Sequence, residues 1–179
     1  MRHIKDIFNI LEDEMSSMPD VDSALAIELL KCQGNIFIAG AGRSALIGSM
    51  FAMRLGHLGM AAHVVGEGTT PPITSNDILL IISGSGETGS MVNIAQKANK
   101  THCKILLISA NMQTTLSRFC HLIYLIGPMH NNRNVANLIP LGGRFELTCL
   151  MILESTIMEL MRITPVTEKE MQSRHANLE

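Results

Sequence analysis

Apolar positions along the chain follow two alternating rhythms. Residues 2–18 place Ile4, Ile7, Phe8, Leu11 and Met15 at helical spacing and stop before Pro19. Asp20 reads as the N-cap of a second helix that runs through Cys32 and is closed by Gly34. Five short, continuous apolar runs follow, at 35–40, 61–65, 77–83, 104–109 and 121–126. None alternates cleanly with polar residues, the pattern of strands covered on both faces. Helical patterns near 43–58, 88–100 and 113–120 separate most of them, which predicts a doubly wound parallel α/β sheet. A polar loop is expected over Met129–Asn137. From Gly143 to about Ile163 a long helix is apolar on nearly every side, so it needs cover beyond its own sheet, and a partner subunit is the natural cover. The expected organisation is one domain over 1–179, with N-terminal helices in 1–33, a sheet core in 34–127, and an interface helix and tail in 141–179.

Composition narrows this picture. Of 179 residues, 46% are hydrophobic but only 3% aromatic, so the interior is aliphatic, with 13 methionines as gap filler. A formal charge of −2 with mixed signs and no long basic run argues against nucleic acid and anionic membrane as partners. The N-terminus lacks a signal-peptide core, and no apolar run reaches membrane-spanning length, so a soluble cytoplasmic protein is expected. Cys32, Cys103, Cys120 and Cys149 show neither CxxC nor Cys/His ligand spacing and read as reduced thiols, with no metal site.

Chemistry concentrates at two strand-to-helix turns. Ser83-Gly84-Ser85-Gly86-Glu87-Thr88 follows the run Ile78–Ile82 and precedes a helical pattern. Its backbone N–H groups and hydroxyls converge beside the positive end of a helix, a place suited to a phosphate. Three hydroxyls and two glycines exceed what capping one helix requires. Gly40-Ala41-Gly42-Arg43-Ser44 forms a second turn of this kind, in which Ser44 serves either as a cap or as an anion ligand. The first turn also fits a loose dinucleotide fingerprint, Gly40-x-Gly42-x-x-Ala45 with Glu67 downstream, but the hydroxyl-rich second turn competes for the same sheet edge. Neither turn has the lysine of a P-loop. Glu67-Gly68-Thr69-Thr70 lies at that edge too, and Glu67 is either a ligand contact or an ordinary loop carboxylate.

These segments resemble the sugar isomerase (SIS) domain family. The likeness is carried by Gly40–Ser44, Phe51-Ala-Met-Arg-Leu55 with His57-Leu58-Gly59, Val65-Gly-Glu67, Thr70-Pro71, Ser83–Thr88, Gly142 with Phe145-Glu146, and the ending Arg174-His-Ala-Asn-Leu-Glu179. It implies a three-layer α/β sandwich of flavodoxin-like order with a five-stranded parallel sheet, in a homotetramer with sites at subunit boundaries. It also implies a phosphosugar substrate held by Gly42, Arg43, Ser44, Ser83, Gly84, Ser85, Gly86 and Thr88. The implied reaction converts arabino-3-hexulose 6-phosphate to fructose 6-phosphate, a step of the ribulose monophosphate pathway. Alternatives are isomerisation of another phosphosugar, or sugar-phosphate sensing without catalysis. One departure stands out: the family usually has a small hydroxyl residue after the glycine of its Pro-Met-Gly segment, whereas this chain reads Pro140-Leu141-Gly142-Gly143-Arg144, and Arg144 adds a charge near the expected active carboxylate.

Moving a carbonyl from C3 to C2 requires a base for the C2 proton and a group that shuttles protons between the two oxygens; it needs no metal or redox cofactor. Glu146 is the leading base, where flanking apolar residues and the helix dipole act on its carboxyl in opposite directions. Glu67 is the reserve carboxylate. The resemblance makes His175 the shuttle, donated by a neighbouring chain. His57, about 20 Å along its helix from Ser44 at ~1.5 Å per residue, is expected to serve packing or an interface.

Overall fold

A computed structural model describes residues 2–16, 18–126, 139, 141 and 143–178, so the loop expected over Met129–Asn137 lies outside the described residues. The elements are α1 (Arg2–Ser16), α2 (Val21–Leu30), β1 (Ile36–Gly40), α3 (Arg43–His57), β2 (Ala62–Val64), β3 (Ile78–Ile82), α4 (Gly89–Asn99), β4 (Lys104–Ser109), β5 (Leu122–Leu125), α5 (Gly143–Ile163) and α6 (Glu168–Ser173). The strands form one sheet in the order β2-β1-β3-β4-β5, with every pairing parallel.

Continuous apolar strands arise because both sheet faces are covered. Ile36, Ile38, Leu80, Ile82, Leu106 and Ile108 point into a core shared with α2, α3 and α5. Phe37, Ala39, Leu79, Ile81, Ile105 and Leu107 point the other way, against Met91, Ala95 and Ala98 of α4. The architecture is therefore a three-layer α/β sandwich, as the sequence pattern predicts. Gly48 brings α3 close to β1, since a Cβ there would lie 2.9 Å from the Ile38 side chain.

Several local expectations are corrected. Asp20 makes no side-chain capping bond to α2, and α2 ends near Lys31 rather than at Gly34. Gly34 is needed for another reason: a Cβ there would stand 2.2 Å from an Asp77 carboxylate oxygen. The helical pattern near 113–120 condenses to a single 3-10 turn, Leu116–Phe119. On α1 the buried positions are Ile10, Leu11 and Glu14, while Ile4 and Phe8 are exposed. The short α6 escaped the sequence reading, although Thr167-x-x-Glu170 is a capping box with both of its reciprocal bonds formed. All four cysteines are free thiols. Among the described residues no helix is long and apolar enough to cross a membrane.

Asp77 organises the edge of the sheet opposite the glycine-rich turns. Its carboxylate accepts the backbone N–H of Asn35 at 2.6 Å, the backbone N–H of Thr74 at 2.5 Å and the Thr74 hydroxyl at 2.8 Å. Burial pushes this carboxyl up, but the donated hydrogen bonds outweigh it and hold the group below its ordinary value of 3.8. A depressed carboxyl contributes stability above its unfolded value and loses it as pH falls through the folded one. Asp77→Ala should thus cost about 2–4 kcal/mol at pH 7, because two part-buried N–H groups and the Thr74 hydroxyl lose their acceptor together. Urea unfolding from about pH 7, where a carboxylate is fully ionised, down to about pH 3 checks this. Wild-type stability should fall at the acid end, and the gap between wild type and variant should narrow there.

Candidate active site

In an open parallel sheet, ligands bind beyond the carboxyl ends of strands at the point where the winding reverses. Here that point lies between β1 and β3. Their register pairs Gly40 with Ile82, so the turn after β1 and the turn after β3 leave the sheet side by side. Each turn feeds directly into a helix, α3 or α4, whose first N–H groups lack intrahelical acceptors.

The turn after β1 is shaped by close approach. A Cβ on Gly40 would lie 2.8 Å from the Ala45 backbone nitrogen, and Gly42 sits at φ +56 as the N-cap of α3. Ser44 therefore does not cap the helix. Its residue is only 8% exposed, and its hydroxyl has no hydrogen-bond partner among the described residues.

The turn after β3 is pinned from its far side. The Gly84 carbonyl accepts from Ala110 N–H at 3.1 Å, the Ser109 hydroxyl at 3.3 Å and the Asn111 amide at 3.2 Å. Gly86 adopts φ +66, and a Cβ on it would collide with Thr114 at 2.5 Å. Ser83 Oγ accepts Gly86 N–H, and Ser85 Oγ accepts Glu87 N–H, both at 3.2 Å, which leaves each hydroxyl proton able to be donated. Thr88 is the N-cap of α4 but makes no capping bond, and its hydroxyl lies 3.5 Å from that of Ser83. Glu87 is engaged on the Thr115 side of the turn. Hydrogen bonds from the Thr115 hydroxyl and backbone N–H hold its carboxyl below the usual range and tie the turn to residue 115.

The first turn of α5 closes over these turns. The Phe145 ring lies against Gly84, 3.1 Å from where a Cβ would stand. Next to it, the Glu146 carboxylate receives Arg43 Nε at 3.1 Å. The carboxylate is mostly enclosed, its side chain 14% exposed, whereas Arg43 is 61% exposed and reaches in from the turn after β1. Below it, the Cys149 thiol is pushed up to about 12 by burial and then by the Glu146 charge, so it stays protonated near neutral pH. Arg144 does not share this space. It pairs with Glu14 of α1, away from Glu146, which corrects the expectation that its charge bears on the active carboxylate.

Glu67 is exposed on the turn after β2, and its carboxylate has no hydrogen bond or ion pair among the described residues. His175 lies elsewhere within its own chain. Its ring stacks on His57 at 5.1 Å, at the end of α3 remote from Ser44. Arg174 Nη1 donates to the His57 carbonyl at 2.9 Å, which seats the tail there. Among the described residues no cluster of three His, Cys, Asp or Glu could hold a metal ion.

Two N–H-rich turns, their hydroxyls and one enclosed carboxylate lie together beyond one edge of a flavodoxin-like sheet, an arrangement chemically suited to a small phosphorylated ligand. Comparison with known proteins makes this more specific. The SIS domain model matches residues 29–141, and the chain belongs to that family. It is 38% identical to a 3-hexulose-6-phosphate isomerase of Methylomonas aminofaciens, covering 86% of this chain and 85% of that protein. A protein of the same description from Bacillus subtilis is 33% identical over 99% of this chain and 97% of its own length. A Methanococcus jannaschii protein, whose crystal structure is described as inferring a 3-hexulose-6-phosphate isomerase function, superposes with a TM-score of 0.81 at 34% identity. That alignment covers 98% of this chain and 96% of the other.

Gly86→Ala tests the turn after β3. Positive φ and collision with Thr114 should together cost about 2–4 kcal/mol and weaken inorganic phosphate binding. Thermal unfolding and phosphate titration of the folded variant measure the two effects.

Proposed function

We propose that this protein is a phosphosugar isomerase that interconverts arabino-3-hexulose 6-phosphate and fructose 6-phosphate. The observation that carries this reading is the enclosed Glu146 carboxylate, placed by Arg43 beside two turns fit to hold a phosphate. Relatives aligned along most of the chain are named for this isomerisation.

The phosphate sits against the N–H groups at the starts of α3 and α4 and the hydroxyls of Ser44, Ser83, Ser85 and Thr88. Gly42, Gly84 and Gly86 let the main chain come close to it. The sugar carbons then extend toward Glu146, which removes the C2 proton and returns it to C3. The intermediate is a cis-enediol(ate). The C3 oxygen gains a proton, the C2 hydroxyl loses one, and no net oxidation occurs. Arg43 neutralises charge at Glu146 and at the developing enediolate oxygen. His175 moves the proton between the oxygens. Glu67, unpaired on its turn, is the reserve carboxylate.

His175 reaches the site from a second copy of the chain. The outer face of α3 carries Leu46, Met50 and Met53 in a helical stripe, exposed by 68%, 45% and 53%. Two such helices packed antiparallel about Met50 bring the His57–His175 end of one beside the Arg43–Glu146 end of the other. The exposed Met158 of α5 extends the apolar surface available for a homotetramer. This reading takes the protein as a cytoplasmic homo-oligomer, and the isomerisation itself needs no metal or redox cofactor.

Glu146→Gln should keep its fold and its phosphate affinity while losing about 10²–10⁴-fold in turnover, assayed on a panel of phosphosugars with EDTA present. A wild-type rate in that variant removes Glu146 as the base, and preferred turnover of another phosphosugar reassigns the substrate. Mixing Glu146→Gln chains with His175→Asn chains under subunit exchange should restore activity that neither has alone. No restoration in verified mixed oligomers would place both groups in one chain's site.

A further inference from the structure

We propose that the buried Glu14–Arg144 ion pair is a positioning device that sets Glu146 from the side of α5 opposite Arg43. The inference rests on the reading of Glu146 as the base. Three consecutive residues in the first turn of α5 are each anchored to a different element. Arg144 pairs with Glu14 on α1, Phe145 lies on Gly84 of the phosphate turn, and Glu146 pairs with Arg43 on α3. Helical geometry turns about 100° per residue, so Arg144 and Glu146 leave the helix on nearly opposite sides. Rotation of the turn in either direction would stretch one of the two pairs.

Arg144 and Glu14 are well enclosed, with side chains 13% and 4% exposed. The Thr148 hydroxyl also donates to Glu14 at 2.8 Å, one helical turn beyond Arg144, so a single carboxylate grips two successive turns of α5. An enclosed pair of this kind adds little net stability over an apolar pair of equal volume, but it demands one geometry. Removing Glu14 releases one of the three anchors without touching the phosphate turns.

The test compares Glu14→Gln, Arg144→Lys and the double replacement Glu14→Leu/Arg144→Met. The double variant removes the ion pair without stranding a buried charge, so it remains informative if Glu14→Gln unfolds. Thermal unfolding, inorganic phosphate affinity, kcat, KM and amide hydrogen exchange across residues 143–148 are measured on each. The expected result for the double variant is a folded protein with phosphate affinity and KM within about twofold of wild type. Its kcat should be lower by about tenfold or more, and the first turn of α5 should exchange faster. Arg144→Lys, which keeps the charge, should recover part of kcat. A folded double variant with wild-type kcat overturns the inference. So does a parallel loss of kcat, phosphate affinity and thermal stability, which marks the pair as purely structural. If the wild-type protein turns over no phosphosugar, the reading of Glu146 fails; the exchange data then decide the clamp by themselves, and unchanged exchange in the double variant rejects it.

Discussion

Parallel pairing of β1 with β3 is the constraint from which the site follows. Because Gly40 stands level with Ile82, the chain leaves both strands at the same height and enters two helices whose starts lie side by side. Each start presents N–H groups without acceptors, and their combined field favours an anion. A slip of one residue between these strands would move every inward side chain to the other face of the sheet. It would also separate the turns. The apolar packing of Ile38, Leu80 and Ile82 on one face, and of Phe37, Leu79 and Ile81 on the other, therefore fixes the chemistry as well as the fold.

On that platform α5 performs two tasks. Its apolar side, Phe145, Cys149, Ile152 and Leu153, seals the sheet, and its first turn delivers Glu146. The proximity of Phe145 to Gly84 favours glycine there: a Cβ would stand 3.1 Å from the ring, which would have to give way. Arg43 opens α3 directly after the turn that follows β1 and also pairs with Glu146, so that turn and the carboxylate are physically linked.

Much of this was legible in the sequence because strands buried on both faces leave unbroken apolar runs. The five strands and the limits of α3 and α5 agree with those runs to within a residue or so. The hydroxyl and glycine content of 83–88 pointed to a tight turn that gathers hydroxyls and N–H groups at a helix start for the same reason, since local chain chemistry dictates local geometry. What depended on distant contacts was not legible. Arg144 stands two residues from Glu146, so sequence proximity suggested that its charge would bear on that carboxylate, yet helical rotation sends it to Glu14 on α1. Asp20 had the composition of a cap, but its carboxylate is not used as one. Glu14 carried a signal that could have been read: with Ile10 and Leu11 it lies on the buried face of α1, where a carboxylate needs a partner.

The most direct test of the account is a calorimetric titration of fructose 6-phosphate and of fructose into wild type and into a Ser44→Ala/Ser83→Ala variant. The phosphorylated sugar should bind wild type, fructose should not, and the double substitution should weaken binding of the phosphate ester by about tenfold or more. Equal affinity for the two sugars, or an undiminished affinity in the folded variant, would contradict a phosphate seated between the turns after β1 and β3.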